Sequence, residues 1–362
     1  MKKLNLKVAV IVGLLMTGTF VNCTKTKEKT TNTVAETIEI STTNLEEKTA
    51  VESRSPIVFI TGYDKGDNKF YSSARTFFKE KQYQIVEDAY SLEEVINWMN
   101  KNVTENPYGE VHIVSHSNPW KGMSLETVIN GERITAETLQ RDSENQLIPQ
   151  LKDGITENTK IVFHSCGLGK NTKLMQKLKK SFSAKEAPQV VASPYYNVFG
   201  GEFSNHYLAK PYYVFYPTAN SPGKTDLSKE IARKYPNERE IEWFAALTNE
   251  RERYIGEPYT FQFNVPITWE FDYHNSDNEI PTFETEEALM DWIANDEDLA
   301  KELNNLDIPV EKFRWRWNVK NSKLTVKGKS TVLCVLKPLT KPYGDLQHIK
   351  PDTNNKRLYA MK

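Results

Sequence analysis

The stretches VHIVSH (residues 111–116) and KIVFHSC (residues 160–166) decide the fold of this chain. Each is rich in β-branched residues and stops at small, turn-forming ones, which is the pattern of a buried strand that runs into a loop. His116 ends the first stretch and Cys166 ends the second. Because open α/β sheets carry their sites at strand ends, the two stretches predict an imidazole beside a thiol. A protonated imidazole can lower a thiol pKa and make the sulfur a nucleophile.

The segments around these two stretches alternate between strand and helix patterns. Strands are predicted at residues 56–61, 83–87, 110–115, 159–164 and 189–193, and helices at residues 70–81, 91–102, 135–151 and 172–182. Such alternation predicts a parallel sheet with right-handed crossovers. The expected fold class is therefore α/β, with a mostly parallel sheet flanked by helices and a C-terminal α+β extension.

The C-terminal part has a different pattern. Strands are expected on both sides of a turn at Gly200-Gly201 and at residues 258–273, and helices at residues 227–255 and 284–305. Residues 313–336 read as a hairpin, because Trp315 and Trp317 alternate with Arg314 and Arg316 on opposite faces.

The N-terminus predicts a bacterial lipoprotein. Three lysines and a short apolar run precede Cys23, and that run is too short to span a bilayer. We therefore expect a signal peptide over residues 1–23 with Cys23 lipidated, a flexible tether over 24–55, an α/β domain over 56–225 and an α+β region over 226–362. The expected location is the bacterial cell envelope, where the lipid anchor would hold the protein at the membrane. An ordinary secretory signal with an incidental cysteine is the alternative.

The net charge and the cysteine content limit the classes of function that fit this sequence. The net charge of −1 argues against a nucleic-acid partner, because binding phosphates needs an excess of Lys and Arg. Besides Cys23, the chain has only Cys166 and Cys334. Cys334 lies in a strand-like run and reads as a buried small hydrophobe. A Cys166–Cys334 disulfide is the alternative and would remove the nucleophile.

The sequence also allows two other kinds of site. His112, His116, His164 and Cys166 could bind zinc, but positions four apart on a strand are about 13 Å apart. A serine hydrolase would use Ser117, yet the flanking glycines of the nucleophile elbow are missing, since Ser115 and Pro119 stand in their places.

The spacing of the two candidate residues leads to a family resemblance. Cys166 lies 50 residues after His116 (166 − 116), and caspases place their His about 50 residues before the Cys. Residues 56–220 resemble the caspase-like clan of cysteine peptidases, which includes caspases, legumains, gingipains and clostripain-like enzymes. They are most similar to caspase-like domains at the front of large bacterial adhesins. The motifs that carry this are Ile113–His116, Gly122–Leu125, Cys166, Gly169 and Val190–Ser193.

The resemblance implies a peptidase that acts on proteins or peptides without a cofactor or metal. Cys166 would be the nucleophile and His116 the general acid. The backbone N–H groups of Ser117, which stands where the clan has glycine, and of Cys166 would face the oxyanion.

Substrate contacts are expected from the first loop at the same sheet edge, at Thr61, Gly62 and Tyr63. Asp64 and Asp67 could select a basic P1 side chain, although surface solvation explains both acids equally well. The alternative function is a non-catalytic surface lipoprotein that binds a partner, with Trp315 and Trp317 as a possible contact, because a fold does not by itself imply an activity.

Overall fold

The computed structural model describes residues 53–201, 204–216, 223–248, 257–274, 279–341 and 349–362. All of them belong to one unit of the chain, residues 50–362. The predicted signal peptide, Cys23 and nearly all of the predicted tether lie outside the described residues. No helix among the described residues is both long enough and apolar enough to cross a membrane.

The strands and helices follow the chain in this order. The strands are β1 (Ile57–Ile60), β2 (Gln84–Val86), β3 (Glu110–Val114), β4 (Ser117–Asn118), β5 (Gly122–Met123), β6 (Lys160–His164), β7 (Gln189–Ala192), β8 (Tyr196–Phe199), β9 (His206–Tyr216), β10 (Tyr259–Asp272), β11 (Arg314–Lys320), β12 (Lys323–Pro338) and β13 (Ala360–Met361). The helices are α1 (Phe70–Glu80), α2 (Leu92–Lys101), α3 (Ala136–Glu144), α4 (Thr172–Ser181), α5 (Lys224–Lys234), α6 (Trp243–Thr248), α7 (Glu286–Asn295) and α8 (Glu297–Leu306).

The main sheet has the strand order β2-β1-β3-β6-β7-β13. The first five of these strands are parallel, and β13 joins the edge antiparallel to β7. The central strands are buried on both faces, as their unbroken apolar runs predicted. Helices α2, α3 and α4 cover one face, and α1 covers part of the other together with β8. The predicted α/β class, a mostly parallel sheet flanked by helices, is confirmed.

The C-terminal part forms a second, antiparallel sheet. Its order is β10-β12-β9-β8, and β11 pairs with β12 beside β9. Helices α5 and α6 pack on one face, and α7 and α8 pack on the other. The predicted hairpin at 313–336 is present as β11 and β12, with Trp315 buried and Arg314 exposed.

Local signals explain where helices begin and end. The Ser91 side chain accepts from Glu94 N–H while the Glu94 carboxylate accepts from Ser91 N–H, so α2 starts with the capping box that its sequence predicted.

The helical segments expected at 227–255 and 284–305 are each divided into two helices, and residues 249–255 of the first lie outside the described residues. The first is interrupted after Lys234 because Tyr235 precedes Pro236, and a residue before proline disfavours helical backbone. The second breaks at Asp296, whose side chain caps the new helix α8.

Candidate functional site at the carboxyl edge of the parallel sheet

Residues His116 and Cys166 occupy equivalent positions after neighbouring parallel strands. Val114 of β3 pairs with His164 of β6, and Ser115 N–H donates to the His164 carbonyl at 3.4 Å. His116 and Cys166 each follow two residues beyond the Val114–His164 pair. Because side chains alternate along a strand, both continue the sheet face that also carries His112 and His164. The structure therefore brings the two predicted residues to one edge and one face of the sheet.

The ring of His116 is held by aromatic groups and an amide. It stacks on Phe70 with a centroid distance of 4.3 Å and meets Tyr71 edge-on at 4.8 Å. Its Nε2 lies 3.3 Å from Nδ2 of Asn68. Burial is the main cause that lowers the pKa of His116 to about 4; the Asp64 charge opposes this change and the Arg133 charge adds to it. The imidazole is therefore neutral at pH 7, and the amide donor of Asn68 assigns its proton to Nδ1.

The thiol of Cys166 faces the second sheet. It packs against a cluster that includes Tyr196, Tyr213 and Cys334, and its Sγ donates to the Asn197 carbonyl at 3.8 Å. Burial raises the pKa of Cys166 to about 12, so the group is a neutral thiol at pH 7. Cys166 and Cys334 are both free, so the alternative disulfide is not formed. Among the hydrogen bonds of the described residues, none joins Cys166 to His116.

The loop after His116 is anchored on the second sheet. Ser117 lies in β4, which pairs with β5 to make a two-residue ladder. Trp120 at the tip packs edge-on against Tyr213 at 4.9 Å, and its indole N–H donates to the Leu306 carbonyl at 2.6 Å. Ser124 N–H donates to the His116 carbonyl at 2.7 Å. These contacts fix the backbone on the carboxyl side of His116.

The first loop has mainly structural contacts. Thr61 is buried and its hydroxyl donates to the Val114 carbonyl at 2.8 Å. Gly62 lies against the Tyr71 ring, where a Cβ would approach to 2.5 Å. The Asp64 carboxylate accepts from the N–H groups of Tyr71 and Ser72 at 2.8 and 2.9 Å, so it binds the N-terminus of α1.

The remaining two residues predicted from this loop, Tyr63 and Asp67, are exposed to solvent. They carry no buried contact that would tie them to the fold, so they are the members of the set that a substrate could reach.

Three buried histidines lie below the candidate site. His112 Nδ1 and His164 Nε2 are 3.0 Å apart, and His206 Nε2 lies 3.2 Å from Asn197 Oδ1. Glu110 stands 3.3 Å from His112 Nε2. No group of three or more potential metal ligands is found among the described residues, so the zinc hypothesis gains no support there. All three histidines lie in the core, and each has one ring nitrogen within hydrogen-bond distance of a neighbouring side chain.

Sequence reasoning did not find Asn68, Phe70, Asn197 or His206. Asn68 lies 48 residues before His116 and Asn197 lies 31 residues after Cys166, in segments without a local motif. They come close to His116 and Cys166 only because the strands pair and β8 crosses the sheet. An open polar depression lined by residues such as Asp272, His274 and Lys320 lies elsewhere, at the turn between β11 and β12.

Gly169 is the motif residue whose substitution we expect to weaken the fold at this edge. A Cβ there would lie 2.5 Å from the Ala192 carbonyl oxygen and 2.6 Å from Pro194 N. Backbone cannot move aside as a flexible side chain can, so Gly169→Ala should lower the free energy of unfolding by about 1–3 kcal/mol in urea titration. Lys170→Ala, at the exposed neighbouring position, is the control and should change it by about 0.5 kcal/mol or less. A Gly169→Ala protein as stable as this control would contradict the close approach.

No protein-family model, curated protein or solved structure matches this chain.

Proposed function

We propose that the protein is a caspase-like cysteine peptidase that uses Cys166 as nucleophile and His116 as proton carrier. The observation that supports this best is their equivalent position, two residues beyond the paired ends of β3 and β6, on one face of the sheet. Strand ends of parallel sheets are where α/β proteins assemble reactive groups. The substrate would be a protein or peptide, and the proposed lipid on Cys23 would hold the enzyme at the bacterial cell envelope.

The mechanism starts from an uncharged thiol and an uncharged imidazole, which are the protonation states of the resting protein. As Sγ of Cys166 bonds to the substrate carbonyl carbon, its proton passes to the His116 imidazole and the carbonyl oxygen becomes an oxyanion. Backbone N–H groups of Ser117 and Cys166 would face that oxygen. The C–N bond then breaks and the imidazolium gives its proton to the leaving amine. Water then attacks the thioester carbon while His116 takes its proton; the C–S bond breaks, the carboxylic acid product leaves, and the imidazolium returns its proton to Sγ, which restores thiol and imidazole.

Two hydrogen bonds must change in this mechanism. A neutral imidazole has one lone pair, and in the resting arrangement Nε2 of His116 presents it to Asn68. The Cys166 thiol likewise donates to Asn197 rather than to His116. Substrate binding would therefore have to release the two side chains toward each other.

The same two contacts favour a second candidate, a caspase-like scaffold that binds a partner without catalysis. With a thiol pKa of about 12 and an imidazole pKa of about 4, the resting pair forms no reactive ion pair. In a non-catalytic scaffold, the thiol and the imidazole would keep their separate hydrogen bonds permanently.

Acyl transfer from a small activated ester separates the two candidates without knowledge of the substrate. The full chain is mixed with p-nitrophenyl acetate, quenched in acid, and the acetylated residue is located by mass spectrometry. A peptidase should acetylate Cys166, and His116→Gln should slow this by roughly 10²–10⁴-fold because the proton acceptor is lost. Cys334, which is fully buried, should remain unlabelled, and Cys166→Ala should abolish the signal.

The control is His274→Gln, the same substitution at an exposed position, and it should acetylate Cys166 at the wild-type rate. Equal acetylation rates in wild type and folded His116→Gln protein would contradict the peptidase and favour the scaffold. Circular dichroism of each variant shows whether the fold is retained.

A further inference from the structure

Beyond the part that α5 and α6 cover, the same face of the second sheet carries four exposed cations in adjacent rows. Arg314 pairs with Lys329 across β11 and β12, and Arg316 pairs with Lys327 one row further on. All four side chains are exposed and point away from the face on which Trp315 is buried. We call these four residues the basic array. Directly paired Cβ atoms are about 5 Å apart, and successive rows are about 7 Å apart.

The basic array is only weakly compensated by acidic groups in the described part of the chain, where the charge of Lys327 acts on the Glu270 carboxylate without an ion pair. None of its four members forms an ion pair there, and the acid beside it, Glu270, is bound at 2.7 Å by Lys323. Like charges directly opposite each other on neighbouring strands destabilise a sheet. The whole chain has a net charge of only −1, so this concentration of positive charge is local and is not part of a generally basic surface.

Protection of a sheet edge explains only half of the basic array. Lys and Arg on an edge strand prevent pairing with another chain, and β11 is such an edge strand. Lys327 and Lys329, however, lie on β12, which is paired on both sides by β10 and β11. Edge protection therefore does not explain these two lysines.

We propose that the basic array is a docking surface for the anionic headgroups of a phospholipid membrane. The array lies on the exposed end of a sheet face, and the residues paired with its two lysines on β10 are the uncharged Pro266 and Thr268. No aromatic side chain stands among the four cations, whereas protein interfaces and single-stranded nucleic acid sites are rich in aromatic groups. Cations near an anionic leaflet each strengthen binding by roughly fivefold, so four correspond to roughly 10²–10³-fold.

Vesicle sedimentation tests this with the full chain carrying Cys23→Ser, so that no lipid anchor contributes. Vesicles of phosphatidylglycerol and phosphatidylcholine (30:70) should bind the protein at least 10²-fold better than pure phosphatidylcholine vesicles, and salt should weaken binding. Lys327→Gln with Lys329→Gln should lose roughly 25-fold. The matched control, Lys152→Gln with Lys180→Gln, removes the same charge from exposed positions near the main sheet and should bind as the unsubstituted chain does.

Three results would overturn the proposal. The first is equal binding by the Lys327/Lys329 double variant and the control. The second is tighter binding to soluble polyglutamate than to the anionic vesicles, which would indicate an acidic protein partner. The third is a double variant that associates in size-exclusion chromatography while its vesicle binding is unchanged, because the lysines would then serve only to keep sheets apart. Acetylation of Cys166 is independent of all three results.

Discussion

Lowering the pH from 7 to 5 is expected to reduce the free energy of unfolding by about 4 kcal/mol, owing to His164 and His206. Burial is the main cause that lowers the pKa of both histidines, to about 3 for His206 and well below the ordinary 6.5 for His164. The charge of Lys81 adds to this for His206, and the repulsion that a second protonated ring in the histidine cluster would meet adds to it for both residues. Both side chains are more than nine-tenths buried.

The sign follows from which state takes up protons. In the unfolded chain these histidines protonate as the pH falls through about 6.5, while in the folded chain they stay neutral to a much lower pH. The unfolded state is therefore favoured increasingly below pH 6.5, by about 2 kcal/mol per histidine between pH 7 and pH 5. The contribution is complete above pH 6.5 and is lost as the pH falls toward the folded-state pKa. Carboxylates with lowered pKa, such as Glu110 beside His112, act mainly below this range.

Urea titrations at pH 7, 6 and 5 measure the effect. His206→Gln keeps a polar group near Asn197 but cannot titrate, so about half of the pH dependence should disappear. His274→Gln is the matched control, because His274 is exposed. In this variant the free energy of unfolding should depend on pH as it does in the wild type. A wild-type stability that is constant from pH 7 to pH 5 would show that these histidines protonate equally easily in both states.

Phe78→Ala is expected to lower the free energy of unfolding by about 3–5 kcal/mol. Phe78 is 1% exposed and lies at the centre of the aromatic layer between α1 and the sheet. Its ring centroid lies 5.3 Å from that of His112, 5.2 Å from that of His164 and 5.8 Å from that of Phe199. Truncation removes this apolar surface and leaves a cavity beside two histidines, which cannot close it without breaking their 3.0 Å hydrogen bond.

The matched control is Phe244→Ala, since Phe244 is 46% exposed on α6 and should lose about 1 kcal/mol or less. Urea titration at pH 7 compares the two variants. A loss below about 1 kcal/mol for Phe78→Ala would mean that the aromatic layer repacks and does not hold α1 on the sheet. It would also weaken the view that this layer fixes His116, because Phe70 of α1 stacks on that ring.

Much of the main sheet is readable from the sequence because its signals are local. The apolar runs of β3 and β6, the capping box of Ser91 and Glu94, and the alternation in β11 each involve residues a few positions apart. The acidic segment at 284–305 shows the limit of this reasoning. Its periodicity continues through Asp296, and only the side chain of that residue, bonded to the backbone of the next turn, divides it into two helices.

The sequence by itself determined the α/β class, the strands that carry His116 and Cys166, and the buried character of Cys334. Only the tertiary structure decided the partners of those side chains. Asn68 and Phe70 reach His116 from α1 and the loop before it, and Asn197 reaches Cys166 from β8. The physical reason is that a pKa and a hydrogen bond depend on burial and on neighbours distant in the chain. Strand and helix periodicity records only which face of an element is apolar.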